Sequence, residues 1–160
     1  MRKKNIAPFV LVAGVLALIG VTAYYVLQPQ LQPHTSLRFG DGVFTARVVK
    51  SQDHREKGLS GTRSLRESQA MIFVFPIQEK WSISMKGMNY PLDIIWLDDE
   101  KNVIFIVKNA DPESYPKRFS PRSDAKYVVE VPAGTVAKKS ITIGTAAIFD
   151  EDNLERGIKL

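Results

Sequence analysis

From Ile6 to Leu27 the chain runs for 22 positions without a charged side chain, directly behind Arg2, Lys3 and Lys4. At 1.5 Å per residue a helix of that length spans roughly 33 Å, enough for a hydrocarbon core of about 30 Å. The basic end, residues 1–5, resists translocation, so the remainder is expected outside the cytoplasm, single-pass, with the N-terminus inside. Tyr24 and Tyr25 fall near the outer boundary, where an amphipathic ring sits well. A second reading stays open. Val21-Thr22-Ala23 offers the small side chains that a signal peptidase reads, and cleavage near Ala23 would release a secreted domain. The apolar run continues past that point, which favours an uncleaved signal anchor over residues 6–27. Both readings export the rest of the chain.

The remaining sequence leaves room for one domain of ordinary size within the 160 residues. The chain has no cysteine, which excludes disulfide frameworks, lipoprotein anchoring, thiol nucleophiles and Cys-rich zinc sites. It has two histidines, His34 and His54, too few for a His-rich metal centre. The formal charge of +5 invites a nucleic-acid reading, but three of the 22 basic residues belong to the N-terminal end. The rest carries 19 basic against 17 acidic side chains. With no aromatic RNA-binding motif and no basic helix, no nucleic-acid partner is expected.

Residues 28–36, containing Pro33, read as a linker, residues 37–149 as the exported domain and residues 150–160 as a polar tail. Within the domain, short runs of β-branched and aromatic residues alternate with Gly, Pro, Asn and Asp. Gly40-Asp41-Gly42 separates two such runs and predicts a hairpin. Ser51 opens a brief helix that Gly58 closes in a left-handed conformation. Strands are expected at 70–75, ended by Pro76, and at 81–85, 93–97, 103–107 and 126–131. A long loop is expected at 109–124 and a one-turn helix at 135–139, and the segments 141–143 and 146–149 complete the core. The fold class is mainly β with one or two short helices, a compact antiparallel barrel-like sheet behind an N-terminal transmembrane helix.

These residues resemble an uncharacterised prokaryotic family, domain of unknown function 192. The resemblance runs in order through Arg55-x-x-Gly58-Leu59, Arg63, Met71-x-Phe73-x-Phe75, Met85-Lys86-x-Met88, Pro91-Leu92-Asp93, Ala125-x-Tyr127-Val128-x-Glu130 and Ala133-Gly134. It implies a compact, barrel-like β-domain, often behind a signal sequence or anchor, and implies no particular activity. The chain departs from the family pattern at Ile83-Ser84, where Phe-Trp is usual, and at Gly87, where Asn or Asp is usual.

Few side chains bear on chemistry. Arg55 and Arg63 flank Gly58-Leu59 and are placed to meet one anion, or to pair with Asp93 or Glu130 and dock the helix on the sheet. Asp93 opens an apolar strand, where a carboxylate must be hydrogen-bonded or paired. Glu130, between Val129 and Val131, is placed to face the same side; two carboxylates across a cleft would suit glycoside hydrolysis. Lys86 would bind an acidic group or keep an edge strand soluble. Met71, Met85 and Met88 read as core filler, and His54 as a surface residue. Tyr115 and Phe119 in the proline-rich loop, with Trp81, offer rings to a sugar or peptide.

No catalytic constellation, metal site or cofactor motif assembles from these residues. The leading expectation is a non-enzymatic envelope binding module for a glycan or peptide, with Arg55, Arg63, Lys86, Asp93, Tyr115 and Phe119 as ligand contacts. The alternatives are an envelope glycan hydrolase using Asp93 and Glu130, and a structural partner domain of another envelope protein.

Overall fold

The computed structural model describes residues 7–27 and 33–152, with side chains from 12–24 and 33–152. The basic end 1–5, Ile6, linker positions 28–32 and tail positions 153–160 lie outside the described residues.

The apolar run folds as one helix, α1 (Ala7–Leu27). Its described side chains, 12–24, cover about 20 Å of helix, and among the described residues no helix is long and apolar enough to cross a membrane. The expected transmembrane crossing is therefore not carried by them. The helix forms a unit separate from the β-domain.

The β-domain begins earlier than expected. Strand β1 (His34–Phe39) takes in the last residues assigned to the linker, because Thr35 and Leu37 already alternate into the core. It pairs antiparallel with β2 (Gly42–Val49) through the tight turn at Gly40-Asp41, where Gly40 has φ +54°. Helix α2 (Gln52–Lys57) then crosses back and sets β3 (Gln69–Glu79) parallel to β2, so the sheet is mixed rather than antiparallel throughout as expected, because the helical crossover returns the chain in the same direction. As expected, Gly58 ends this helix, but at φ +48° and ψ −130° rather than in the left-handed helical conformation, and Ser51 precedes it without capping it, its Oγ lying 2.9 Å from His54 Nδ1 instead. Pro76 does not end β3. It sits where the pairing with the later strand Ala125–Pro132 is interrupted between Val74 and Glu79, so its missing N–H costs no ladder bond.

The short β4 (Ile83–Ser84) is all that forms of the strand expected at 81–85. β5 (Leu92–Leu97) and β6 (Val103–Ala110) make the second hairpin. The long loop carries a one-turn 3-10 helix (Pro112–Ser114) capped by Asp111, then β7 (Arg118–Phe119), which pairs with β4. β8 (Ala125–Pro132), α3 (Thr135–Lys138) and β9 (Ala147–Ile148) complete the domain. Residues 141–143 form no strand; Ile141 is buried and Ile143 is exposed.

Among the described residues, seven strands form one curled half-barrel sheet in the order β6-β5-β8-β3-β2-β1-β9. The central strands are covered on both faces, which explains their continuous apolar runs. One face buries Leu37, Phe44, Val48, Ile72, Ile95, Leu97, Val129 and Val131 under Val136, Ile141 and Phe149. The other buries Val49, Met71, Phe73, Ile94, Trp96 and Val128 under Leu59, Met85 and residues of the connecting loops, among them Leu65, Met88 and Tyr90. The tail is not loose at its start: Tyr127 donates to Glu151 at 2.7 Å and Lys50 pairs with Asp152 at 3.0 Å.

Candidate functional site

The register between β5 and β8 separates the two carboxylates. Asp93 is opposite Val131 and Ile94 is opposite Glu130, so Asp93 shares the face of Ile95 and Val131 while Glu130 shares that of Ile94 and Val128. The expectation that both face one cleft is overturned, and with it the two-carboxylate hydrolytic arrangement.

Asp93 is fully buried and both its oxygens are occupied by backbone. Oδ1 accepts from Asn109 N at 2.8 Å, and Oδ2 from Val136 N at 2.8 Å. Asn109, at φ +50°, stands where the β5–β6 register shifts. Val136 lies in the first turn of α3, whose N-cap Gly134 has no side chain to offer. Asp93 thus caps that turn from a distance and fixes the bend in β6, a role that leaves no lone pair obviously aimed at a ligand.

The cations expected beside it are elsewhere. Arg55 donates to the carbonyls of Lys50 and Val74, and its guanidinium lies 5.3 Å from the centre of the Phe75 ring. It docks α2 on β3, with backbone and an aromatic face replacing the expected carboxylate partner. Arg63 is exposed on the loop after α2. Lys86 is also exposed, in a turn rather than on an edge strand, and its carbonyl accepts from Ser60 Oγ at 2.7 Å.

The aromatic side chains divide in the same way. Trp81 stacks on Phe75 at 4.3 Å with an interplanar angle of 11°, and its indole N–H is used by Ile77 O. Phe119 is half-buried with Lys117 over its ring, and Tyr115 is 50 % exposed. A surface cleft of about 410 Å³ lies beside α3, between Phe44, Ser68, Gly134 and Lys139. None of Arg55, Arg63, Lys86, Asp93, Tyr115 or Phe119 lines it.

The structure assembles a polar cluster around Glu130 instead. Arg47, Met71 and Glu130 are successive partners across β2, β3 and β8, so they stand in a row on one face. Arg47 Nη2 donates to Gly58 O at 3.0 Å and lies 3.8 Å from Met71 Sδ. Glu130 is 6 % exposed, and its Oε2 has no hydrogen-bond partner. Burial raises its pKa to about 7, against the opposing pull of the Arg47 charge. Burial likewise lowers the pKa of Arg47 and raises that of Tyr90; Arg47 feels the charges of Glu130 and Tyr90, and Tyr90 those of Glu130 and Arg47. Tyr90 Oη is 2.7 Å from Thr62 Oγ1.

Two loops, 58–65 and 85–91, close over this face and are joined to each other. Gly61 N donates to Gly87 O at 2.8 Å, Ser60 Oγ to Lys86 O, and Asn89 Nδ2 to Thr62 O at 2.9 Å. The glycines at 58, 61 and 87 all have positive φ. Of the residues expected to form a site, Glu130 alone belongs to this cluster. Arg47, Tyr90 and Thr62 carry no local mark in the sequence; only the strand order β2-β3-β8 brings them to Glu130.

The family profile described as Uncharacterized ACR, COG1430, domain of unknown function 192, matches residues 35–149. A UPF0127 protein of Pyrococcus furiosus is 29 % identical over 99 residues, which cover 60 % of this chain and 81 % of that protein. A UPF0127 protein of Thermococcus sibiricus is 30 % identical over 106 residues, 64 % of this chain and 65 % of its own length. A solved structure from Sinorhizobium meliloti 1021, of a protein provisionally named a transcription regulator, superimposes with a TM-score of 0.67 at 25 % identity, covering 74 % of this chain and 93 % of that one. A protein of unknown function from Novosphingobium aromaticivorans superimposes with a TM-score of 0.66 at 22 % identity, over 72 % and 83 % of the two chains.

Proposed function

The chain belongs to the family of domain of unknown function 192, and from that premise we propose that its β-domain is a non-enzymatic binding module of the cell envelope, tethered by α1 on the extracytoplasmic side. The observation that carries the binding role is Glu130. A buried carboxyl oxygen without a partner costs about 1–3 kcal/mol, and an apolar side chain at that position would avoid the cost. Retaining the acid beside Arg47 and Tyr90 is what a site that receives a polar ligand requires. No second carboxylate shares the face among the buried residues, which favours binding over acid–base hydrolysis.

The tether rests on the composition of α1. Val12, Val15, Leu16, Leu18, Ile19 and Val21 are exposed over more than half of the helix circumference, and Ala13, Ala17 and Gly20 occupy the remaining arc. A helix apolar on every side finds its match in lipid. The test is the full-length chain in lipid nanodiscs, with its melting temperature followed against envelope glycan fragments and short peptides. A saturable rise with one class is expected; a panel that leaves the melting temperature unmoved refutes the reading.

A further inference from the structure

Read as that binding site, the placement of Arg47 and Glu130 on either side of the buried Met71 also specifies what kind of group it receives. The two residues are two strands apart, about 10 Å between Cα atoms, and they form no ion pair among the described residues. Arg47 commits Nη2 to Gly58 O and the Met71 sulfur, which leaves its Nε and Nη1 as donors. Glu130 offers an unpartnered oxygen. A group seated above Met71 must therefore accept from a guanidinium and donate to a carboxyl.

An ammonium meets Arg47 as a like charge, and above about pH 7, where Glu130 is ionised, a carboxylate meets it in the same way. A hydroxyl satisfies both with a single neutral atom. The neighbouring wall is of the same kind. Thr62 gives its proton to Leu59 O, so Tyr90 donates to Thr62 Oγ1 and keeps lone pairs on its own oxygen. Met71 beneath supplies apolar surface for ring C–H groups.

Access runs through the two loops. They are held together by side-chain and single backbone bonds rather than a strand ladder, and the Ser60–Lys86 and Asn89–Thr62 bonds are exposed. Exposed bonds exchange with water at small net cost, so these loops separate more readily than the sheet below, opposed chiefly by the burial of Leu59 and Met85 beneath them. We propose that the loops 58–65 and 85–91 part to admit a carbohydrate, one hydroxyl of which bridges Arg47 and Glu130 above Met71.

The experiment uses the full-length, 15N-labelled chain in lipid nanodiscs without glycoside detergent. At pH 8, where Glu130 is ionised, it is titrated with glucose, maltotriose and N-acetylglucosamine, and separately with acetate and methylammonium. At least one saccharide is expected to move the Gly61 and Gly87 amide resonances saturably, with both charged probes inert at the same concentration. Glu130→Leu is expected to weaken that saccharide at least tenfold while keeping the remaining spectrum folded, and Tyr90→Phe serves as a second, less invasive variant with a smaller loss. Saccharide shifts unchanged in both variants overturn the proposal. Shifts at Gly61 and Gly87 from a charged probe alone overturn the carbohydrate and leave the binding face standing. Silence of these amides toward every probe, including the glycan and peptide panel, removes both.

Discussion

Arg47 and Glu130 stand on one face of the sheet with Met71 between them, close enough to feel each other's charge yet not in contact. Protonation of Glu130 is therefore linked to folding. Its pKa is about 7 in the folded chain, raised from an ordinary value of 4.5 by burial. A folded state that holds a proton more tightly than the unfolded state is most stable while both are protonated. That advantage shrinks as pH rises from about 4.5 and is gone above about 7, a loss of up to about 3 kcal/mol. Glu130→Gln is expected to remove the dependence within this window and to melt above the parent at pH 8. Parallel melting curves of the two proteins from pH 5 to 8 check it; identical pH profiles would contradict the linkage.

Asp93 makes the opposite case, a buried carboxylate with every demand met. Asn at this position keeps one acceptor and turns an amide N–H toward either Asn109 N or Val136 N, setting donor against donor. Asp93→Asn is expected to cost about 2–4 kcal/mol. The expected readout is a lower denaturation midpoint together with faster amide exchange at Val136. A loss of ligand binding without loss of stability would assign Asp93 to the site instead.

Where the information is local, the sequence announces the structure. Gly40-Asp41-Gly42 makes the expected hairpin because positive φ at Gly40 is a property of that residue, and Gly58 ends α2 for the same reason. The motif order that carries the family resemblance is likewise legible residue by residue, and the family profile extends it to residues 35–149. Pro76 misleads because a proline ends a strand only where its N–H is needed, and an irregularity in the β3–β8 pairing removes that need. The site is hidden for a stronger reason. Glu130 and Asp93 change relative face with a one-residue shift of the β5–β8 register, which nothing in either strand specifies. Arg47 reaches Glu130 only through the order β2-β3-β8, a relation among three segments distant in the chain.

Two glycines with similar backbone conformation separate close approach from backbone strain. A Cβ on Gly40 would lie 2.0 Å from Lys139 O, at φ +54°. On Gly61, at φ +75°, it would meet nothing within 4 Å. Gly61→Ala is expected to cost about 1 kcal/mol, from the left-handed conformation alone. Gly40→Ala adds a collision with backbone that has to move and is expected to cost at least about 3 kcal/mol. Chemical denaturation of the two variants checks the difference; equal losses would mean that the hairpin and the Lys139 segment shift apart freely.

The absence of cysteine makes the topology directly testable. A single thiol at an exposed position, Ser120→Cys, reports the compartment of the β-domain, and Asn5→Cys reports that of the basic end. With the domain outside, a membrane-impermeant maleimide labels Ser120→Cys equally in intact and lysed cells but labels Asn5→Cys only after lysis. This expected orientation rests on Arg2, Lys3 and Lys4, which would resist translocation, and on the uncharged stretch behind them. The mass of the labelled Ser120→Cys chain distinguishes the two export routes: full length and membrane-bound for an anchor, shortened to a start near Tyr24 and soluble for a cleaved signal. Labelling of Ser120→Cys only after lysis would place the β-domain in the cytoplasm, and the envelope role would fall with it.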